Sequence, residues 1–212
     1  MVSLSFEALL HIDEYLEFIL QNYGGLSYAI IFFIIFLETG LVIAPFLPGD
    51  SLIFVAGTFA ASGVIDVMLL FYLIALAAII GDTFNYWIGY FFGEKFFEKS
   101  HLFRRDYLER TKDFYKKHGG RTVVMARFVP IMRTFAPFVA GIAKMDYLEF
   151  TSFNVVGGIV WTAVFIFAGY FFGSIPFVQE NLNWLIFAVI FISIIPVILE
   201  FNRNRERRKV AR

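Results

Sequence analysis

Five ionisable side chains lie inside apolar stretches of this 212-residue sequence: Glu38, Asp50, Asp82, Arg127 and Arg133. A lone charge in apolar surroundings is costly, so such groups are expected to pair with one another or to serve a site. Guanidinium groups stay charged at any accessible pH and match the geometry of a phosphate. Arg127 and Arg133 flank Pro130, and a break there lets two residues six positions apart both point inward. Glu38 precedes Thr39-Gly40, where a glycine permits close backbone approach or a kink. Asp50 follows Pro48-Gly49 and is expected at the N-terminus of a half-helix, where the dipole favours its anion. The chemistry open to this set is capture of a phosphate by the arginines, with the carboxylates as competing counter-ions that take up protons. The plainer alternative is a buried ion pair, Glu38 or Asp50 with Arg127 or Arg133, that only fastens segments together. Asp82, after Gly81 and with Asn85 one turn on, reads more simply as a polar packing seam between helices.

The elements that must position these groups belong to a membrane. The chain is 59% hydrophobic and 20% aromatic, with a mean hydropathy of +0.71, well above an ordinary soluble domain. It has no cysteine, which excludes disulfides and thiol chemistry. Stretches at 26–45, 67–93 and 147–173 are each long and apolar enough to span, and a fourth at 182–201 opens at Trp184. Tyr147 and Trp184 near span ends suit an aromatic belt. Two further apolar stretches do not read as crossings. Residues 46–64 contain Pro48-Gly49-Asp50, and residues 122–143 contain Arg127, Pro130, Arg133 and Pro137. Two arginines at membrane depth cost roughly 5–7 kcal/mol on insertion scales. Broken, polar backbone at that depth is tolerated only within protein or beside a watery cavity. Both stretches are therefore expected to be re-entrant helical hairpins.

Residues 1–25 carry Glu7, Asp13, Glu14 and Glu17 and no Lys or Arg, unlike the basic start of a cleavable signal. The spacing of Ile12, Leu16, Ile19 and Leu20 predicts a short amphipathic helix at the interface, the equal alternative being a polar lead-in to the first span. Nine Lys/Arg fall in 94–121 and six in the tail 202–212, the remaining three being Arg127, Arg133 and Lys144. With four crossings both basic segments share one side, which the positive-inside rule makes the cytoplasm, together with both termini. The run 94–121 is expected to be a solvated cytoplasmic helix, and the tail an anchor for anionic lipid.

An internal repeat underlies this layout. Gly-Tyr-Phe-Phe-Gly occurs at 89–93 and at 169–173, an offset of 80 that Asp66 and Asp146 share. Phe46-Leu-Pro48 echoes Phe128-Val-Pro130 at offset 82, and Ala56-Gly57 echoes Ala140-Gly141 at offset 84. The units are 46–93 and 122–173, each a hairpin followed by a long span. Because a single crossing separates the hairpins, they are expected to open on opposite faces, the inverted arrangement that secondary transporters place around a midplane site. The pentapeptide glycines are expected to be packing positions. The fold class expected is an all-α membrane protein: about four transmembrane helices, two opposed re-entrant hairpins in an inverted repeat, and an N-terminal amphipathic helix.

With these residues assembled, the sequence resembles the DedA family of membrane proteins, also called the SNARE-associated or VTT-domain family. The resemblance covers roughly residues 10–200. It is carried by Glu38-Thr-Gly, Phe46-Leu-Pro-Gly-Asp50-Ser, Ala56-Gly57, Gly81-Asp82 and Asn85-Tyr86. In the second unit it is carried by Arg127-Phe-Val-Pro130, Arg133-Thr-Phe-Ala-Pro137, Ala140-Gly141 and Asn154-Val-Val-Gly157. The resemblance implies a bacterial inner or plasma membrane protein with two opposed re-entrant loops. It further implies lipid translocation tied to the proton motive force, with undecaprenyl phosphate recycling or phosphatidylethanolamine movement as the family's themes. The family's acidic pair and arginine pair map onto Glu38, Asp50, Arg127 and Arg133.

The function expected is a flippase for a phosphate-bearing lipid, undecaprenyl phosphate favoured, not an enzyme. Arg127 and Arg133 would bind the head-group phosphate, Glu38 and Asp50 would couple protons, and Asp82, Asn85 and Asn154 are secondary candidates. The expected partners are membrane lipids and protons, with no nucleic acid, cofactor or metal, and with a homo-oligomer left open. One alternative is movement of phosphatidylethanolamine or of phospholipid in general. Another, from a different class, is a membrane scaffold without transport. An intramembrane enzyme is a third. Asp50 and Asp82 each follow a glycine, as in an aspartyl dyad, but that leaves both arginines without a role. A lipid phosphatase would want a histidine, and His11, His101 and His118 lie outside the spans.

Overall fold

The computed structural model describes residues 24–41, 49–99, 119–173 and 175. These form six helices: α1 (Leu26–Gly40), α2 (Gly49–Ala61), α3 (Val67–Lys99), α4 (Arg121–Ala126), α5 (Pro130–Ile142) and α6 (Tyr147–Gly173). The expected helix at 1–25, the span at 182–201 and the basic tail lie outside the described residues. Two helices carry stretches long and apolar enough to cross a bilayer, Val67–Gly93 and Tyr147–Phe172.

Two boundaries differ from the sequence reading. The first span was expected over 26–45, but α1 stops at Gly40 and Leu41 is extended (φ −108°, ψ 118°). Its 15 residues rise about 22 Å, short of a hydrocarbon core of about 30 Å. The second span was expected to close at Gly93, yet α3 continues as one helix to Lys99. It thereby takes in the start of the segment assigned to a separate cytoplasmic helix. No proline or capping glycine interrupts 94–99, so nothing local ends the helix where its apolar stretch ends.

The second broken segment consists of α4 and α5, separated at Arg127–Val129. Val129 is extended (φ −118°, ψ 110°) and Pro130 opens α5. A residue before proline is pushed out of the helical region, and a proline without an N–H fits the first helical turn. Pro137 lies within α5 and cannot donate to the Arg133 carbonyl one turn earlier.

The two units are joined to their long helices in the same way. After α2, Gly63 N donates to Ala60 O (3.1 Å) and Val64 N to Phe59 O (3.2 Å). After α5, Lys144 N donates to Gly141 O (3.0 Å) and Met145 N to Ala140 O (3.1 Å). Gly63 (φ 79°) and Lys144 (φ 53°) occupy the left-handed position that closes this kind of helix end. Asp66 and Asp146 then cap the next helix. Asp66 Oδ1 accepts from Leu69 N (2.7 Å), and Asp146 Oδ1 accepts from Glu149 N (3.0 Å).

The units pack crosswise, α2 against α6 and α5 against α3. At the first crossing, a Cβ on Gly57 would strike the backbone at Ile166 O, and one on Gly169 would strike Phe54 O. At the second, a Cβ on Gly141 would strike Tyr86 O, and one on Gly89 would strike Phe138 O. Gly57, Phe54, Gly169 and Ile166 stand at the repeat offsets from Gly141, Phe138, Gly89 and Tyr86. Small residues allow such close helix contact where no hydrophobic drive between helices exists.

The outside is apolar. Met68, Tyr72, Leu76, Ile80 and Phe84 form an exposed stripe along α3, and Leu148, Val156, Val160, Val164 and Phe171 are exposed on α6. The inside combines a core of Ile31, Ile35, Ile53, Leu70, Ile74 and Ile166 with buried charge. Along the middle of the long helices apolar residues face out and charges face in, while the exposed charges Asp66, Arg121, Lys144, Asp146 and Glu149 stand at helix ends.

Candidate functional site

Arg133 gathers one set of charges. It sits in the first turn of α5, buried, and its Nη2 donates to Glu38 Oε1 while its Nη1 donates to Asp50 Oδ1. Glu38 lies in the last turn of α1 and Asp50 in the first turn of α2. Gly49 N, at the start of α2, donates to the same Glu38 oxygen (3.1 Å). The carboxylate fills the space that a side chain at Gly49 would take, so the glycine is needed for this approach. An acid against a helix N-terminus gains from its unpaired N–H groups and dipole. Trp161, from the middle of α6, completes the set. Its Nε1 donates to Asp50 Oδ1 (3.2 Å), and the Arg133 guanidinium carbon lies 4.8 Å from its ring centroid. Glu38 and Trp161 are 1% and 0% exposed, whereas the Asp50 side chain is 15% exposed. Asp50 is therefore the most accessible member.

Arg127 gathers a second set at the α4–α5 break. Its Nη2 donates to Asp82 Oδ2 on α3 and to Asn154 Oδ1 on α6. Asn154 in turn donates to Ile79 O (3.0 Å) and Thr83 Oγ1 (3.2 Å) on α3. Arg127 Cδ and Nε would lie 3.1 and 3.2 Å from a Cβ at Gly157, so that glycine leaves the guanidinium room. Asn85 links the neighbourhoods of the two arginines. Its amide donates to Thr39 O (3.2 Å), beside Glu38, and to Thr134 O (2.7 Å), beside Arg133.

All seven residues singled out in the sequence are thus buried or half-buried in two adjoining clusters, and the pairing left open there is decided. Arg133 takes both Glu38 and Asp50. Arg127 takes Asp82, which is an ion-pair partner and not part of a packing seam. The seam exists without it: Gly81 meets Thr39 and Gly40, and Asn85 ties α1 to α5. Sequence reasoning missed Trp161. The available signal was its place in the middle of a span, away from the ends where tryptophan usually lies.

Among the described residues, Glu38 Oε2, Asp82 Oδ1, Arg127 Nε and Nη1, and Arg133 Nε have no hydrogen-bond partner. Each such buried group costs about 1–3 kcal/mol. With every group ionised, two guanidiniums face three carboxylates, a net of −1 (2 − 3). The arrangement can accept an oxyanion at the guanidiniums or a proton at the carboxylates. No three His, Cys, Asp or Glu side chains cluster to hold a metal among the described residues.

Apolar flanks on the long helices, two stretches long and apolar enough to cross a bilayer, and ion pairs sealed between helices are the marks of an α-helical integral membrane protein. The chain belongs to the DedA family of VTT-domain membrane proteins. The VTT-domain model matches residues 47–171, more than half of the chain. Protein DedA of Escherichia coli strain K12 is 52% identical over 201 residues, covering 93% of this chain and 92% of that protein. An uncharacterized membrane protein of Mycobacterium leprae is 42% identical over 168 residues (78% and 75% of the two chains). The inner membrane protein YghB of Escherichia coli strain K12 is 33% identical over 174 residues (81% and 78%). No solved structure matches the chain.

Proposed function

We propose that the protein moves a phosphate-bearing lipid between leaflets, driven by protons. The observation that carries this reading is the pair of guanidiniums held by carboxylates at helix ends and breaks inside an apolar bundle. A lipid phosphate would replace Glu38 and Asp50 at Arg133, and Asp82 at Arg127. Protonation of a carboxylate removes the charge that holds its arginine and so frees the guanidinium for the phosphate. Asp82 enters the scheme as the counter-ion of Arg127, beside the proton-coupling pair Glu38 and Asp50.

The two units would act as opposed re-entrant hairpins in an inverted repeat. The matched joints at Gly63 and Lys144, and the matched crossings at Gly57 and Gly141, favour it. Access would alternate between the faces on which the hairpins open, with both termini cytoplasmic. Undecaprenyl phosphate is the favoured cargo, because its exposed phosphate monoester offers most oxygens to two arginines. Phosphatidylethanolamine is the other candidate.

Translocation of each lipid in proteoliposomes, with and without a pH gradient, tests the reading. Gradient-dependent flux of one lipid supports it. Flux no greater than in empty vesicles, from folded protein at verified density, turns the assignment towards a scaffold.

A further inference from the structure

Trp161 touches both members of an ion pair. Its indole N–H donates to Asp50 Oδ1 (3.2 Å), and its ring face lies 4.8 Å from the guanidinium carbon of Arg133. The residue is fully buried and belongs to α6, whereas Asp50 and Arg133 belong to α2 and α5. It therefore ties α6 to the first turns of both α2 and α5. A guanidinium on an aromatic face keeps that attraction whichever anion sits at its edge. The hydrogen bond to Asp50 depends on that carboxylate staying in place.

We propose that Trp161 is the positioning residue of the site. Its ring holds the Arg133 guanidinium in one plane while the anion at its edge is exchanged, and its N–H fixes Asp50 only in the ion-paired state. This deepens the transport reading and rests on it for the identity of the exchanging anion. The ring contact is a constant support, and the N–H contact is a latch. A phosphate at Arg133 that displaces Asp50 also unlatches the indole, so the indole reports the exchange.

The test uses full-length protein in nanodiscs with Trp161 as its sole tryptophan (Trp87→Phe/Trp184→Phe), after the melting temperature of that background has been matched to wild type. Dioleoyl phosphatidic acid serves as the phosphate-bearing probe. In nanodiscs without anionic lipid, Asp50→Asn and Arg133→Gln are each expected to shift the Trp161 emission maximum. The probe is expected to produce a saturable change that Arg133→Gln abolishes. In flux assays, Trp161→Phe keeps an aromatic face and loses the N–H. Because that bond exists only in the ion-paired state, its loss is expected to lower the half-saturating lipid concentration by roughly 5-fold. Trp161→Leu also loses the ring that holds the guanidinium and is expected to raise it by about 10-fold or more above the Phe variant.

Emission unchanged by Asp50→Asn, Arg133→Gln and the probe would overturn the proposal. So would equal changes in the Phe and Leu variants that follow thermal stability alone. If emission responds to the two variants while no lipid moves, the transport reading falls and the positioning role stands. If lipid moves while Trp161 is blind, the positioning role falls alone.

Discussion

Arg127 Nη2 is bonded to Asp82 Oδ2, and both side chains are 1% exposed. Neither residue can reach water in this arrangement, and Arg127 has two further nitrogens without a partner among the described residues. The pair joins α3 to the break that precedes α5.

Removing one member leaves the other charged and buried. Asp82→Asn or Arg127→Gln alone is expected to destabilise the protein by roughly 3–5 kcal/mol. The double variant is expected to cost clearly less than the sum of the two. Thermal unfolding of the four proteins in one detergent measures the coupling. Additive losses would mean the pair contributes nothing as a pair.

Glu38 and Asp50 share Arg133, so their neutralisation is expected to uncouple flux from protons. In Glu38→Gln/Asp50→Asn, lipid movement should lose its response to a pH gradient, read as the flux ratio with and without that gradient. A ratio equal to wild type would remove these residues from coupling.

The crossings at Gly57 and Gly141 are matched backbone contacts, and a Cβ at either site meets a carbonyl of the facing helix. Gly57→Val and Gly141→Val are each expected to lower stability by several kcal/mol, through separation of α2 from α6 and of α5 from α3. Gly25→Ala is the control. No atom of the described residues lies within 4 Å of its added Cβ, and its φ is −62°, so a change within about 0.5 kcal/mol is expected. Melting temperatures of the three variants decide the matter.

Composition and hydropathy made the membrane class legible, because 59% hydrophobic residues with long apolar runs at 67–93 and 147–173 exceed what an ordinary soluble domain carries. Glu38, Asp50, Arg127 and Arg133 were legible for the same reason: a charge stands out in an apolar run. Which acid meets which arginine was not, because pairing depends on how α1, α2 and α3 cross α5 and α6. Asp82 and Asn85 look alike in sequence, one turn apart on α3. Only the crossing geometry turns Asp82 to Arg127 and Asn85 to the backbone at Thr39 and Thr134. The end of α1 at Gly40 was also hidden, since Leu41 to Ala44 are as apolar as the helix before them. Trp161 was overlooked because an aromatic residue in a span is ordinarily lipid-facing or core.

The central claim is that Arg127 and Arg133 take a lipid phosphate. The most direct test is undecaprenyl phosphate flux into proteoliposomes under a pH gradient, comparing wild type with Arg133→Ala and Arg127→Ala/Arg133→Ala at matched density. Each variant is checked for folding by monodispersity and helical content. A loss of roughly 30-fold or more is expected in each variant, the scale on which a buried charge contact is lost. Wild-type flux from a folded double variant would contradict it, and would leave the arginines as fasteners of the fold.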